Sequence, residues 1–144
     1  MTCELESNTA TTLTHDTATK YDLATSLIDN TGMMADTAND RITCRRTGNY
    51  VVGGMINVTG LADATRVIVY LYQNGAIYKL AASFTGVATA TLYPSLTVTI
   101  PAPAAQHFEL YGSWDVSGGS GTKDSLVVNS GVKPFLSVVE VPQW

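Results

Sequence analysis

The sequence predicts an all-β protein, folded as a sandwich of two antiparallel sheets. Over 144 residues the composition is rich in Thr, Ala, Val and Gly, and no long Leu/Glu/Lys-rich stretch follows a helical period. Short runs of β-branched and aromatic residues alternate with Gly, Asn, Asp and Pro at the spacing typical of a sandwich. We therefore expect about eight to ten strands in one domain, a length of chain that can bury a sizeable core.

A strand and turn over Thr65–Gly75 form the centre of this prediction. Asn74-Gly75 tolerates the positive φ angles of a two-residue hairpin, and Ala76–Leu80 supplies the returning strand. Alternate side chains point to opposite faces, and both sets are apolar: Val67, Val69 and Leu71 on one face, Ile68, Tyr70 and Tyr72 on the other. Because a sandwich needs only one apolar face per sheet, the outer face is expected to be covered as well, most simply by copies of the same chain.

The remaining elements follow from local patterns. Residues 1–10 are polar and predict a flexible arm, so that the domain itself spans residues 11–144. Predicted strands are a Thr-rich edge strand over Thr11–Thr19, then Arg41–Cys44, Tyr50–Val58, Thr91–Ile100, a run containing Phe108, Leu110, Gly112 and Trp114 on one face, Leu126–Val128 and Phe135–Val141. Gly53-Gly54 indicates a bulge or a close backbone approach, and Pro101 is expected to end its strand.

Charge and cysteine content argue against several classes of function. The net charge is −4 and the eight Lys and Arg are scattered, so nucleic acid is not an expected partner. No apolar stretch is long enough for a membrane helix, and the first residues lack the pattern of a secretory signal. Cys3 and Cys44 are expected to be free thiols.

No catalytic or cofactor-binding constellation emerges from the spacing, and we predict a non-enzyme without a cofactor. His15 and Asp16 are adjacent and point to opposite faces of a strand, whereas His107 and Glu109 share a face without a nucleophile nearby. The oxygen-rich loops around Asp36, Asn39, Asp40, Asp115 and Asp124 do not match a calcium loop, and such loops are more often turns, so no metal is predicted.

The order of several short motifs resembles the C1q/TNF-like jelly roll, in the version found in many bacteriophage proteins. The motifs are Tyr21, Asp29-Asn30-Thr31-Gly32-Met33, Arg41-Ile42-Thr43, Gly48-Asn49-Tyr50, Arg66 through Tyr72-Gln73-Asn74-Gly75, and Phe135-Leu136-Ser137-Val138-Val139. The likeness covers roughly Thr11 to Val141. Arg45-Arg46 departs from it, since the family usually has Pro there, and no collagen-like or fibre-shaft sequence lies upstream.

The resemblance implies a homotrimer of antiparallel jelly rolls around a three-fold axis. Combined with the doubly apolar central strand, it makes Ile68, Tyr70, Tyr72 and Tyr111 the candidate inter-subunit surface. Cover by a loop of the same chain is the alternative for this face.

The function we expect is that of a phage virion protein, a trimeric decoration or knob on the capsid surface. Its partners would be copies of itself and the major capsid protein or another virion protein. The polar arm, with Thr2, Cys3, Glu4, Leu5 and Glu6, is the expected capsid anchor, so that three weak contacts act together. The alternative is a receptor-binding or glycan-binding fibre tip that uses Tyr93 and the loop from Ser113 to Thr122. A cytokine-like ligand would fit the fold but not the missing signal peptide.

Overall fold

The computed structural model describes residues 1–30, 33–86, 90–125 and 132–142, and these contain strands and no helices. The strands are β1 (Thr2–Glu6), β2 (Thr11–Thr14), β3 (Thr19–Lys20), β4 (Thr25–Asp29), β5 (Met33–Asp36), β6 (Arg41–Cys44), β7 (Gly48–Met55), β8 (Val58–Leu61), β9 (Arg66–Gln73), β10 (Ala76–Phe84), β11 (Ala90–Leu92), β12 (Ser95–Ala102), β13 (His107–Asp115), β14 (Thr122–Ser125) and β15 (Phe135–Val141). No helix in the described ranges is long and apolar enough to cross a membrane.

Two antiparallel sheets form the sandwich, as predicted. Sheet 1 has the strand order β12-β7-β15-β1-β4. Sheet 2 has the order β10-β9-β13-β6-β5, with β3 paired to β13. Two short pairs, β11 with β8 and β14 with β2, lie outside these sheets. The predicted strand over Leu126–Val128 lies outside the described residues.

The central hairpin forms as the sequence predicts. Asn74 and Gly75 adopt φ angles of 51° and 78°, the positive values of a two-residue turn, and the turn joins β9 to β10. Val67, Val69 and Leu71 are completely buried. On the neighbouring β13, Phe108, Leu110 and Trp114 are buried on the same side of sheet 2, so this side faces sheet 1 across the core.

Two glycines allow the sheets to approach closely. A Cβ on Gly112 of β13 would lie 2.7 Å from Ile56 Cδ1 and 2.8 Å from Tyr21 Cε2. On β7 a Cβ on Gly54 would lie 2.7 Å from Leu110 Cδ1. The pairing of β7 with β12 and β15 continues through Gly53 and Gly54 without a shift, so this pair marks a close approach and not a bulge.

The predicted N-terminal arm is wrong. Residues Thr2–Glu6 form β1, which lies inside sheet 1 between β15 and β4. Cys3 and Leu5 are completely buried in the core, so the alternating apolar residues of this segment outweigh its polar character. Residues 1–10 are therefore part of the domain.

The predicted strand end at Pro101 is also wrong, because β12 continues to Ala102. β12 is the edge strand of sheet 1 and pairs only with β7 among the described strands. A proline is tolerated there because an edge strand leaves alternate N–H groups unpaired.

We predict that Gly112→Ala destabilises the fold by about 1–3 kcal/mol, since the added methyl group must displace the Tyr21 ring or Ile56. Chemical denaturation measures the change in the free energy of unfolding. Gly86→Ala is the matched control, because a Cβ there meets no atom within 4 Å. An equal effect of both variants would contradict the close approach of the sheets.

The two cysteines are free and buried, and burial raises the pKa of Cys3 to about 12 and that of Cys44 to about 11. Because the thiolate is the reactive species, both thiols should resist a disulfide reagent at pH 8 in the native protein. In guanidinium chloride both should react. Rapid modification of the native protein would show that the interior opens on the time scale of the assay.

Candidate functional site

The candidate assembly site consists of outward-facing surfaces on the two sheets. On sheet 2, strand register places side chains in rows across β10, β9 and β13. One row runs from Leu80 through Tyr70 and Tyr111 to Lys20, and the next runs from Ile77 through Tyr72 and Glu109 to Arg41. The four predicted interface residues therefore do lie together, and we call Ile68, Tyr70, Tyr72 and Tyr111 the tyrosine surface.

The tyrosine surface is packed tightly within the chain itself. The rings of Tyr72 and Tyr111 stack with centroids 3.9 Å apart, and Tyr70 meets Tyr72 edge to face at 6.4 Å. The Tyr70 hydroxyl shares a 2.9 Å hydrogen bond with the Ser113 hydroxyl. Ile68 is only 7% exposed. Much of this apolar area is thus covered by neighbouring side chains, and the assignment of the surface to a subunit contact stays a prediction.

Charged groups border the tyrosine surface on the side away from β10. Lys20 forms an ion pair with the buried Glu109 and donates a 2.7 Å hydrogen bond to the Asn39 carbonyl. The other Glu109 oxygen, Oε2, lies 4.0 Å from His107 Nε2. Burial, together with the nearby Arg41, lowers the pKa of His107. The predicted sharing of a face by His107 and Glu109 is thus confirmed.

On the opposite side, β10 presents an apolar patch that the sequence analysis did not identify. Ile77, Leu80 and Phe84, which we call the edge patch, are 55%, 50% and 69% exposed. Each lies beside an outward-facing residue of β9 in the strand register. β10 is also the edge strand of sheet 2, so the patch continues the tyrosine surface to the border of the sandwich.

Sheet 1 carries a groove on its outer side, with a volume of about 360 Å³. We call this feature the sheet groove. The described residues that line it are all uncharged: Val51, Gly53, Gly54, Met55, Ser95, Leu96, Thr97, Phe135, Ser137 and Val139. Register places the small residues Thr97, Gly53 and Ser137 side by side in one row. The larger Met55 and Phe135 lie together in the row next to it, so the groove follows from small side chains flanked by larger ones.

The other residues with predicted roles are distributed over the structure. Cys3 and Leu5 are buried and cannot contact a capsid, while Thr2, Glu4 and Glu6 lie half-buried on the same strand. Ser113 belongs to β13 and is buried, so the predicted recognition loop from Ser113 is wrong at its start.

Tyr93 is exposed. Asp36 and Asp115 form ion pairs with Arg41 and Arg66, respectively.

Among the described residues no group of three or more His, Cys, Asp and Glu side chains could hold a metal ion. The surfaces described above offer apolar side chains, tyrosine hydroxyls and paired charges.

Comparison with solved structures identifies the fold. The chain superposes on Eiger TNF from S. frugiperda with a TM-score of 0.70 at 12% sequence identity, covering 100% of this chain and 94% of that one. Murine APRIL at pH 5.0 gives a TM-score of 0.62 at 14% identity, with 97% and 98% covered. No protein-family model and no curated protein matches the sequence. The chain thus has a TNF-like jelly-roll fold, which confirms the predicted antiparallel sandwich. The described residues already form more strands than the eight to ten expected, and the trimer stays a prediction.

We predict that Lys20→Met lowers the free energy of unfolding by about 1–3 kcal/mol, because the buried Glu109 carboxylate then loses its cationic partner. The second substitution Glu109→Gln should restore part of this loss, since it removes the uncompensated charge. Arg46→Met is the control: it breaks the ion pair between Glu140 and the mostly exposed Arg46, and it should cost less stability. An unchanged stability of the Lys20→Met variant would contradict the ion pair between Lys20 and the buried Glu109.

Proposed function

We propose that this chain is a non-enzymatic structural protein that assembles as a homotrimer and decorates the assembled shell of a bacteriophage. The observation that carries the assembly is the pair of apolar surfaces on opposite sheets, the sheet groove and the edge patch. The TNF-like fold is consistent with such a trimer. The virion location is supported by the resemblance of the sequence motifs to phage versions of the fold.

Three-fold symmetry requires two different surfaces on each chain. A self-complementary patch closes a two-fold dimer, whereas a ring of three needs a head-to-tail contact in which one surface meets another. Away from the three-fold axis, the tyrosine surface could supply only one half of this contact. The sheet groove and the edge patch can together supply both halves, because one is concave and the other lies on a strand at the border of the sandwich.

The chemistry of the two surfaces is complementary. The described residues that line the sheet groove are uncharged, and depletion of charge is typical of the buried centre of a protein interface. The edge patch contributes two aliphatic side chains and one aromatic ring, all at least half exposed. Seating the edge patch of one copy in the groove of the next would bury both surfaces, and repeating the contact three times would close the ring.

A closed trimer would bind a shell with three equivalent contacts. Each contact can be weak, because once the first has formed the second and third occur at high effective concentration. Preferential binding to the assembled shell would stabilise it by mass action. With β1 built into sheet 1, the anchoring contacts must come from other exposed segments of the domain.

We predict that Thr97→Glu dissociates the trimer, because it places a charge in the sheet groove while the exposed side chain leaves the core untouched. Sedimentation velocity measures the result, and a shift to the mass of a single chain is expected. Thr14→Glu, on the exposed side of β2, is the matched control and should leave the assembly intact.

The variant Tyr111→Ser distinguishes a subunit contact through the sheet groove and the edge patch from one through the tyrosine surface. Dissociation by Tyr111→Ser and not by Thr97→Glu would place the subunit contact on the tyrosine surface. Unfolding of either variant is detected by circular dichroism before the sedimentation result is interpreted.

The copy number in purified virus particles tests the decoration function. Quantitative mass spectrometry against the major capsid protein should give a number of copies comparable with that of the shell protein. A few copies per particle would instead favour the fibre-tip alternative, in which the exposed Tyr93 is available for glycan contacts. Absence from the particle would contradict both virion functions.

A further inference from the structure

The turn between β9 and β10 consists of the chain's one Asn-Gly pair, Asn74 and Gly75. Both residues are exposed. Asparagine is thermally labile, and a following glycine makes it more so, because the glycine nitrogen can reach the side-chain amide without a Cβ in the way. Attack of that nitrogen closes a five-membered succinimide ring and releases ammonia. The hairpin therefore carries a chemically reactive pair at its tip.

The nitrogen of Gly75 lies outside the sheet and is open to solvent. The strand register of β9 and β10 begins with Gln73 opposite Ala76, so Gly75 belongs to the turn. A Cβ at Gly75 would meet no atom within 4 Å. In a two-residue turn the ladder closes between the flanking residues. The Gly75 N–H can therefore lose its proton to hydroxide, and its nitrogen can act as a nucleophile.

The side chain of Asn74 is held by the first residue of β13. The N–H of His107 donates a 3.0 Å hydrogen bond to Asn74 Oδ1, and the Asn74 N–H donates a 3.0 Å bond to the His107 carbonyl. Because a backbone N–H can only donate, this contact identifies which end of the amide is the oxygen. A donor at this distance favours the negative charge that Oδ1 acquires when the carbon beside it is attacked.

We propose that Asn74 is a site of spontaneous deamidation in the native chain. A bond forms between the Gly75 nitrogen and Asn74 Cγ, the bond from Cγ to Nδ2 breaks, and the Gly75 proton leaves with Nδ2 as ammonia. Water then opens the succinimide at either of its carbonyl carbons, which leaves aspartate or isoaspartate at position 74. Neither step oxidises or reduces the chain. The inference goes beyond the proposed function and does not depend on it.

The two products differ in their effect on the hairpin. Aspartate keeps the backbone path of asparagine, and its carboxylate can still accept the hydrogen bond from the His107 N–H. In isoaspartate the main chain runs through the former side-chain carbon, so the turn gains one backbone atom. Because a two-residue turn sets the register of its strands, the added atom should weaken the pairing of Gln73 with Ala76 at the start of β10.

The test is incubation of the purified native protein in neutral and in mildly alkaline buffer, followed by peptide mapping with mass spectrometry. Asn8 is the internal reference: it is exposed, its amide oxygen also accepts a hydrogen bond, from Lys133, and it precedes Thr9. Asn74 should deamidate at least about 10-fold faster than Asn8, because a β-branched side chain shields the attacking nitrogen and a glycine does not. The alkaline buffer should accelerate the reaction. Equal rates at the two asparagines would overturn the proposal.

Two variants separate the attack by Gly75 from the strain of a positive φ angle. Gly75→Ala adds a methyl group beside the nucleophile and should slow deamidation of Asn74 at least about 10-fold. Gly60→Ala is the matched control, since Gly60 also has a positive φ, 66° against 78°, and open space at its Cβ position, but follows Thr59. It should leave the rate at Asn74 unchanged. An undiminished rate in Gly75→Ala would contradict the attack, and circular dichroism shows that each variant is folded.

The stability of the products tests the effect on the hairpin. Anion-exchange chromatography isolates the deamidated chains, and a protease that cleaves before aspartate but not before isoaspartate identifies each product. The Asn74→Asp variant is the reference for the aspartate form. The isoaspartate fraction should melt at a lower temperature than this variant. Equal melting temperatures would contradict the weakened pairing at the start of β10.

Discussion

The adjacent glycines Gly53 and Gly54 connect the interior of the sandwich to its outer surface. They lie on β7, and alternation along the strand places one on each face of sheet 1. On the inner face, the absence of a Cβ at Gly54 lets Leu110 of sheet 2 approach. On the outer face, a Cβ at Gly53 would lie 3.1 Å from the Ser137 hydroxyl, and this small row opens the sheet groove. Close packing inside and the sheet groove outside therefore depend on the same dipeptide.

The two sheets use their outer faces differently. On sheet 2 the rings of Tyr72 and Tyr111 stack on each other and Ile68 is buried, while exposed apolar side chains lie on the edge strand β10. On sheet 1 the small residues leave the sheet groove, and its described lining residues are uncharged. The outer faces of the two sheets therefore differ, and a head-to-tail ring requires two different surfaces on each chain. The three-fold symmetry of the proposed trimer thus depends on the different side chains that the two sheets place on their outer faces.

Local patterns were sufficient to predict much of the fold. The hairpin at Asn74-Gly75, the buried rows of β9 and β13, and the boundaries of β6 and β15 depend on neighbouring residues and were predicted correctly. The placement of β1 could not be predicted in this way, because its strand partner β15 lies at the other end of the sequence. Cys3 and Leu5 alternate in a manner compatible with a strand, but the polar neighbours obscured that signal.

The candidate site was only partly predictable for the same reason. The four residues of the tyrosine surface lie on strands whose alternation is visible in the sequence, and they do share a face. The sheet groove is formed by rows across β12, β7 and β15, so its existence depends on a register between segments far apart in the chain.

The native mass of the unmodified chain in solution tests the central claim most directly. Multi-angle light scattering over a range of concentrations should give three times the 15.3 kDa mass of one chain, as expected for a closed ring formed by the sheet groove and the edge patch. A single chain would show that the two surfaces do not meet. A stable two-chain species would contradict the head-to-tail contact, because it would require a self-complementary surface.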